Sequence, residues 1–225
     1  MDVVISSGPL GSTHAHRERV PRTGGKTTNS GWLAHALQEA EHDYDVVGFD
    51  ADHSQQFHAW SVTGEFTFPV EPAATAKFHT EVTVPDGKIA IVDCGHTENH
   101  PDITNSVLRV ADLVILHMAP TKADFDRIVD PPDKTKISDV IKMSAALRAD
   151  RTAPPTWVLL NRSVTGASST GIYRGMMEDE GWNVLTTVIP RSEQFGQSVS
   201  YPITGASKGP FGQLVTELEK RGLLK

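Results

Sequence analysis

A chain of 225 residues, 38% hydrophobic and 22% charged, has the length and apolar content of one packed domain and not of a disordered tail. No apolar run reaches the roughly 20 residues a membrane-spanning helix requires, and no basic segment with an apolar core opens the chain, so a cytoplasmic protein is expected. The formal charge of −7 argues against binding nucleic acid over the whole surface, and Cys94, the only cysteine, excludes a disulfide framework and a cysteine-paired zinc site.

In chain order, the stretch from Gly8 to Ser12 reads like the scar of a tag-removal protease. Residues 1 to 19 are therefore set apart as a disordered or non-native segment, and the domain is expected over residues 20–225. A helix is predicted over Thr27 to Ala40, where Trp32, Leu33, Ala36, Leu37 and Ala40 recur at helical spacing. Strands are predicted over Tyr44 to Phe49 and Lys88 to Val92, then a helix over Asp102 to Val110 and a strand over Leu113 to Met118. A helix from Thr135 to Leu147, capped by Thr135 or Ser138, leads to a strand at Trp157 to Leu160 and a helix at Ser169 to Glu180. The strand Val184 to Ile189 and the helix Phe211 to Arg221 close the chain. The strand segments are continuously apolar, as strands buried on both faces are, and they alternate with helices. This pattern implies an α/β fold with a doubly wound, mostly parallel sheet and helices on both faces. Ligands in such sheets bind beyond the carboxyl ends of the strands, where this chain places Asp50, Asp52, Asp93, Pro120, Asn161, Pro190 and Arg191.

Four segments offer chemistry. Gly24-Gly25-Lys26-Thr27-Thr28 precedes an amphipathic helix: glycines let backbone amides approach a phosphate, Lys26 reaches its terminal oxygens, and the Thr27 hydroxyl suits magnesium. An ordinary glycine turn before a helix is the competing reading, and Val20 stands where the full phosphate-loop pattern has a further glycine. Asp50-Ala51-Asp52 ends a strand with two carboxylates able to orient water or hold a hydrated cation, or simply to cap a helix beginning near Ser54. Ile89-Ala90-Ile91-Val92-Asp93 delivers one carboxylate from a buried strand, although such an aspartate is more often a turn residue. Asn161, after Val158-Leu159-Leu160, has the donor and acceptor needed to read an adenine edge, or starts a loop.

In order and spacing these segments resemble the ParA/MinD family of deviant-Walker P-loop ATPases over about residues 20 to 225. The family's loop ends in G-K-T-T, matched by Gly25-Lys26-Thr27-Thr28; its second strand leads into D-x-D, matched by Asp50-Ala51-Asp52; its Walker B strand ends in aspartate, matched by Asp93. The resemblance implies a nucleotide site formed by Gly24, Gly25, Lys26, Thr27, Thr28, Asn161, Pro190 and Arg191. It implies ATP and magnesium as cofactors, Thr27, Asp50 and Asp93 at the metal, and Lys26 and Asp52 in catalysis. It further implies an ATP-dependent homodimer that binds nonspecific DNA, associates with the nucleoid and is stimulated by a ParB-type centromere-binding protein. No membrane attachment of the MinD kind is expected, because the tail Gly212 to Lys225 offers only Leu214, Val215, Leu218, Leu223 and Leu224 as an apolar face. The length matches the short class lacking a helix-turn-helix domain. Arg191, Lys208, Lys220 and Arg221 are the candidate DNA contacts, in a C-terminal stretch richer in basic residues than the rest. The sequence departs from the family at Pro21, which takes the place of the lysine that crosses the dimer, and at His53-Ser54 and Cys94-Gly95. The strand expected just before the loop falls on the charged segment His16 to Val20, and Val3-Val4-Ile5 serves instead only with a long connection.

Three other readings compete. A ParA-like scaffold that has lost catalysis fits the altered loop. A haloacid-dehalogenase-type phosphatase would use Asp50 as nucleophile with Asp52, although that motif normally ends the first strand and needs a later acidic pair. A metal hydrolase is suggested by His96-Thr97-Glu98-Asn99-His100, whose spacing is not that of a helical zinc motif.

Overall fold

A computed structural model describes residues 2–7, 25–95, 100–131 and 135–224. The elements are β1 (Asp2–Ser7), α1 (Lys26–Gln38), β2 (Val46–Ala51), α2 (Gln56–Thr63), β3 (Val70–Pro72) and α3 (Phe78–Glu81). They continue with β4 (Ile89–Cys94), α4 (Pro101–Leu108), β5 (Leu113–Met118), α5 (Lys122–Val129), α6 (Ile137–Ser144) and β6 (Thr156–Ser163). The chain ends in α7 (Ser169–Asp179), β7 (Asn183–Pro190), α8 (Glu193–Gly196) and α9 (Pro210–Lys220). The strands form one sheet in the order β3-β2-β4-β1-β5-β6-β7, with every neighbouring pair parallel. No helix among the described residues is long and apolar enough to cross a membrane.

The period of two along each strand sorts the apolar side chains onto two cores. Val46, Ile89, Ile91, Leu113, Ile115 and Leu159 face α1, α2 and α9, with Trp32, Phe57, Trp60 and Phe211 between. Val47, Phe49, Ala90, Val92, Val114, Leu116, Val158 and Leu160 face the other side, where Phe78, Ile103, Val107, Ile141 and Met177 cover them. Both faces are thus buried, which is why the strands read as unbroken apolar runs.

The structure departs from the sequence expectations at several points. The strand ahead of the loop is β1, paired with β4 on one side and β5 on the other, so residues 2–7 belong to the sheet and the boundary expected at residue 20 moves forward. The remainder of the segment 1–19 lies outside the described residues. The short elements β3, α3, α5 and α8 were not foreseen, and α2 is the helix given near Ser54 only as an alternative reading. In α5, for example, only Ile128 is buried, too little for a visible apolar stripe. Helix α6 begins after Lys136 without a side-chain cap, so neither Thr135 nor Ser138 plays the capping role expected.

Three contacts hold the segment before α9 against α1 and α2. Trp32 Nε1 donates to Ser198 Oγ (3.0 Å), Trp60 Nε1 donates to the Tyr201 carbonyl (2.9 Å), and the Glu39 carboxylate accepts from the Gly205 and Ser207 amides. Trp32 itself lies between Phe195 and Phe211, with ring centroids at 5.0 and 5.9 Å. Gly31 permits the approach of α2 to α1, because a Cβ there would lie 2.6 Å from the Trp60 ring. On the edge strand β7, the Thr186 and Thr187 amides donate to the two oxygens of Glu217, both at 2.7 Å.

Gly31→Ala is expected to lower stability by about 1–3 kcal/mol, read in thermal unfolding, since α1 and α2 must separate to admit the methyl. Burial tends to raise the Glu217 pKa, but the amide donors of Thr186 and Thr187, with Arg221, outweigh it and hold the group at about 2 against an ordinary 4.5. A folded pKa below the unfolded one contributes stability that is full above about pH 4.5 and is lost as the pH falls toward 2. Glu217→Gln is therefore expected to flatten the acid limb of the stability profile in that window.

Candidate functional site

The strand pattern that buries apolar residues also places four polar ones. Asp50 continues the face of Val46 and Gly48, Asp93 that of Ile89 and Ile91, His117 that of Leu113 and Ile115, and Asn161 that of Leu159. All four are buried at the carboxyl ends of their strands, on the face covered by α1. The first turns of α1 answer with a polar set of their own: Lys26, Asn29 and Ser30 are buried, and Thr27 and Thr28 are half-buried.

Thr27 Oγ1 donates to Asp93 Oδ2 at 2.6 Å, and Ser30 Oγ donates to Asp93 Oδ1 at 3.5 Å. The Asn29 amide nitrogen donates to His117 Nδ1 at 2.8 Å. Gly25, at the N-cap, has φ +68°, and a Cβ there would lie 2.8 Å from the Asn161 amide nitrogen. Conformation and space both call for glycine here. Arg162 also lies against Gly25 and has a left-handed backbone of its own, φ +55°.

Lys26 is only 7% exposed. Burial lowers its pKa, while the charges of Asp93, Asp52 and Cys94 act in the opposite sense. Burial likewise pushes Asp93 up to about 7, with the Thr27 hydrogen bond and the Lys26 charge opposing it. Lys26 and Asp93 therefore each offset part of the other's desolvation.

The two other acids differ in role. Asp50 is fully buried, and its oxygens accept from the Asp52 amide (3.1 Å) and the His58 amide (2.9 Å). Through these bonds Asp50, the acid expected in the magnesium shell, braces the turn from β2 into α2. Asp52 is half-buried and accepts from the Ser54 amide at 3.0 Å. Its carboxylate stands against Gly95 at the end of β4, where a Cβ would lie 2.9 Å from Asp52 Cγ. Lys26, Thr27, Asp52 and Asp93 are thus gathered at one end of the sheet.

The remaining expected residues are distributed as follows. Gly24 lies outside the described residues. Pro190 is half-buried and Arg191 exposed, and the Arg191 amide donates to the Ser163 carbonyl (2.8 Å), joining the exits of β6 and β7. Lys208 and Lys220 are exposed. The expected DNA contacts do not form one face: Arg191 follows the carboxyl end of β7, whereas Arg221 covers Trp157 near the amino end of β6, 4.4 Å from its ring, and pairs with Glu217 at 2.8 Å. His96 and Glu98 lie outside the described residues; His100 meets His53 with ring centroids 4.0 Å apart. Among the described residues no three His, Cys, Asp or Glu side chains are grouped to hold a metal ion.

Sequence reasoning missed Asn29, Ser30 and His117. The signal was present as polar residues in otherwise apolar periods, in Leu113-Ile115-His117 and along the inner side of α1.

Magnesium prefers hard oxygen donors, and the Thr27 hydroxyl and Asp93 carboxylate, in hydrogen-bond contact beside a buried lysine, fit it. No family model matches the chain, and no curated protein matches it in sequence. Solved structures match its fold. An ATP complex of a McdA variant from Cyanothece aligns with 100% of this chain and 98% of its own at 12% identity and a TM-score of 0.63. A ParA family ATPase from Chlorobium tepidum covers 96% of both chains at 14% identity and a TM-score of 0.56. The septum site-determining protein MinD of Pyrococcus horikoshii, complexed with Mg-ADP, covers 99% of this chain and 96% of its own at 17% identity and a TM-score of 0.58. With its parallel sheet and the loop-to-helix turn at Gly25, the chain has the fold of the ParA/MinD-type P-loop ATPases.

Proposed function

We propose that this protein binds and hydrolyses ATP with magnesium, and that the nucleotide switches it into a homodimer that associates with nonspecific DNA in a partition system served by a ParB-type partner. The observation that carries the ATPase reading is the gathering of Lys26, Thr27, Asp52 and Asp93 at the turn into α1. The ATP-bound and Mg-ADP-bound states of two proteins of the same fold support it. The partition role rests on the resemblance in motif order.

In this reading the amides of Gly24 and Gly25 and the start of α1 receive the phosphates, and Lys26 neutralises the terminal oxygens. Thr27 and Asp93 hold magnesium, which when bound draws charge from the phosphate oxygens. Asp52, more exposed than Asp93 and steadied by the Ser54 amide, orients the attacking water. Asp50 keeps Asp52 in place through the Asp52 amide. Asn161, Pro190 and Arg191 border the base, and the contact of Asn161 with Gly25 links the base side to the phosphate side.

A nucleotide-binding scaffold without turnover is the second reading, favoured by Val20 and Pro21 in place of the loop's glycine and its signature lysine. The phosphatase reading loses ground, because Asp50 ends the second strand and both its oxygens accept backbone amides.

Titration of purified protein with ATP and magnesium is expected to show binding that Lys26→Ala weakens at least about tenfold, corresponding to the loss of about 1.4 kcal/mol or more of charge-assisted contact. Binding that survives this change removes the loop from the nucleotide site. Asp52→Ala is expected to retain ATP and lose turnover by about 100-fold or more. Wild-type protein that binds without turnover selects the scaffold. Retention on nonspecific DNA only with ATP supports partition, and equal retention without nucleotide contradicts it.

A further inference from the structure

We infer that His117 is a positioning residue for the phosphate-loop helix, acting through Asn29 to set the roll of α1 that aims Thr27 at Asp93. The inference rests on the ATPase reading above and extends it to a residue outside the phosphate loop and both acidic motifs.

β1 lies between β4 and β5, and α1 reaches both outer neighbours: Thr27 bonds Asp93 on β4, and Asn29 bonds His117 on β5. Residues two apart on an α-helix point roughly 200° apart around its axis. The two bonds therefore grip α1 from opposite sides across β1, and a helix held so cannot roll without breaking one of them. A roll of α1 would carry Lys26 and Thr27 away from the phosphate and metal positions together.

The chemistry of the position agrees. Asn29 and His117 are each 3% exposed. The amide nitrogen can only donate, so Nδ1 accepts and the imidazole proton sits on Nε2. Among the described residues Nε2 has no hydrogen-bond partner, and the ring lines a void of about 10 Å³ whose other walls are mainly apolar, Leu33, Ile91, Ile115, Leu159 and Phe211 among them. A buried polar atom left without a partner lowers stability, so an aliphatic residue would serve a purely structural core better here. Burial, with the Lys26 charge, pushes the His117 pKa down to about 3, so the ring stays a neutral acceptor at working pH.

The test compares the affinity for ATP with and without magnesium in wild type, His117→Leu, His117→Gln and Asn29→Ala, with thermal unfolding measured alongside. His117→Leu is expected to fold and to reduce the magnesium enhancement of ATP affinity about tenfold, while His117→Gln, which keeps an acceptor for Asn29, stays within about threefold of wild type. Should His117→Leu fail to fold, Asn29→Ala decides by the same ratio, with the same loss expected. An unchanged ratio in His117→Leu, or in Asn29→Ala where that variant decides, makes the pair a packing contact and overturns the inference alone. An equal loss in His117→Gln overturns it too. Wild type that shows no magnesium-dependent ATP binding overturns the ATPase reading, and this inference with it.

Discussion

A carboxylate that receives no water must receive something else, and the arrangement around Asp93 follows from that constraint. Asp93 lies at the end of a strand covered on both faces, so neither face offers it solvent. The Thr27 hydroxyl and the buried Lys26 ammonium supply what burial withholds. In turn, Lys26 is tolerated in its own buried position because Asp93 and Asp52 are near. Taking away one member leaves an uncompensated charge, which ties the turn at Gly25 to the end of β4 more firmly than packing alone.

From this centre the rest of the site is placed by regular geometry. Adjacent parallel strands end level with one another, so Asp50 and Asp93 are register partners and share a face. The same alternation brings His117 and Asn161 to that face on the other side of β1. Each of these side chains has a distinct task. Asp50 secures the turn that presents Asp52, Asp93 bonds Thr27, His117 bonds Asn29, and Asn161 packs on Gly25. The polar residues of α1 are therefore buried without being misplaced, since each of Thr27, Asn29 and Ser30 has a counterpart on the sheet.

The segment between β7 and α9 extends this framework away from the strand ends. Trp32 and Trp60 reach out of α1 and α2 to hold it, and Glu39 receives two of its amides. Movement of α1 would be felt there through the Trp32 and Glu39 contacts. The exits of β6 and β7 are joined by the Arg191 amide, so the residues expected beside a base lie on one connected rim.

Continuous apolar runs in the sequence determined that five strands would be buried on both faces, and helical spacing located five helices between them, because burial leaves its period in the residues themselves. The glycine-lysine-threonine turn and the aspartates after two strands were legible for the same local reason. The assignment of β1 stayed open between Val3-Val4-Ile5 and the segment before the loop, since 17 residues of sequence separate Ser7 from Gly25 and only its partners β4 and β5 distinguish a central strand from a short apolar stretch. The tertiary structure alone decided that Asp50 would brace a turn while Asp52 and Asp93 stand with Lys26, and that Asn29 would meet a histidine 88 residues away. Such pairings depend on strand order and on the roll of one helix, and neither is carried by the period of any single segment.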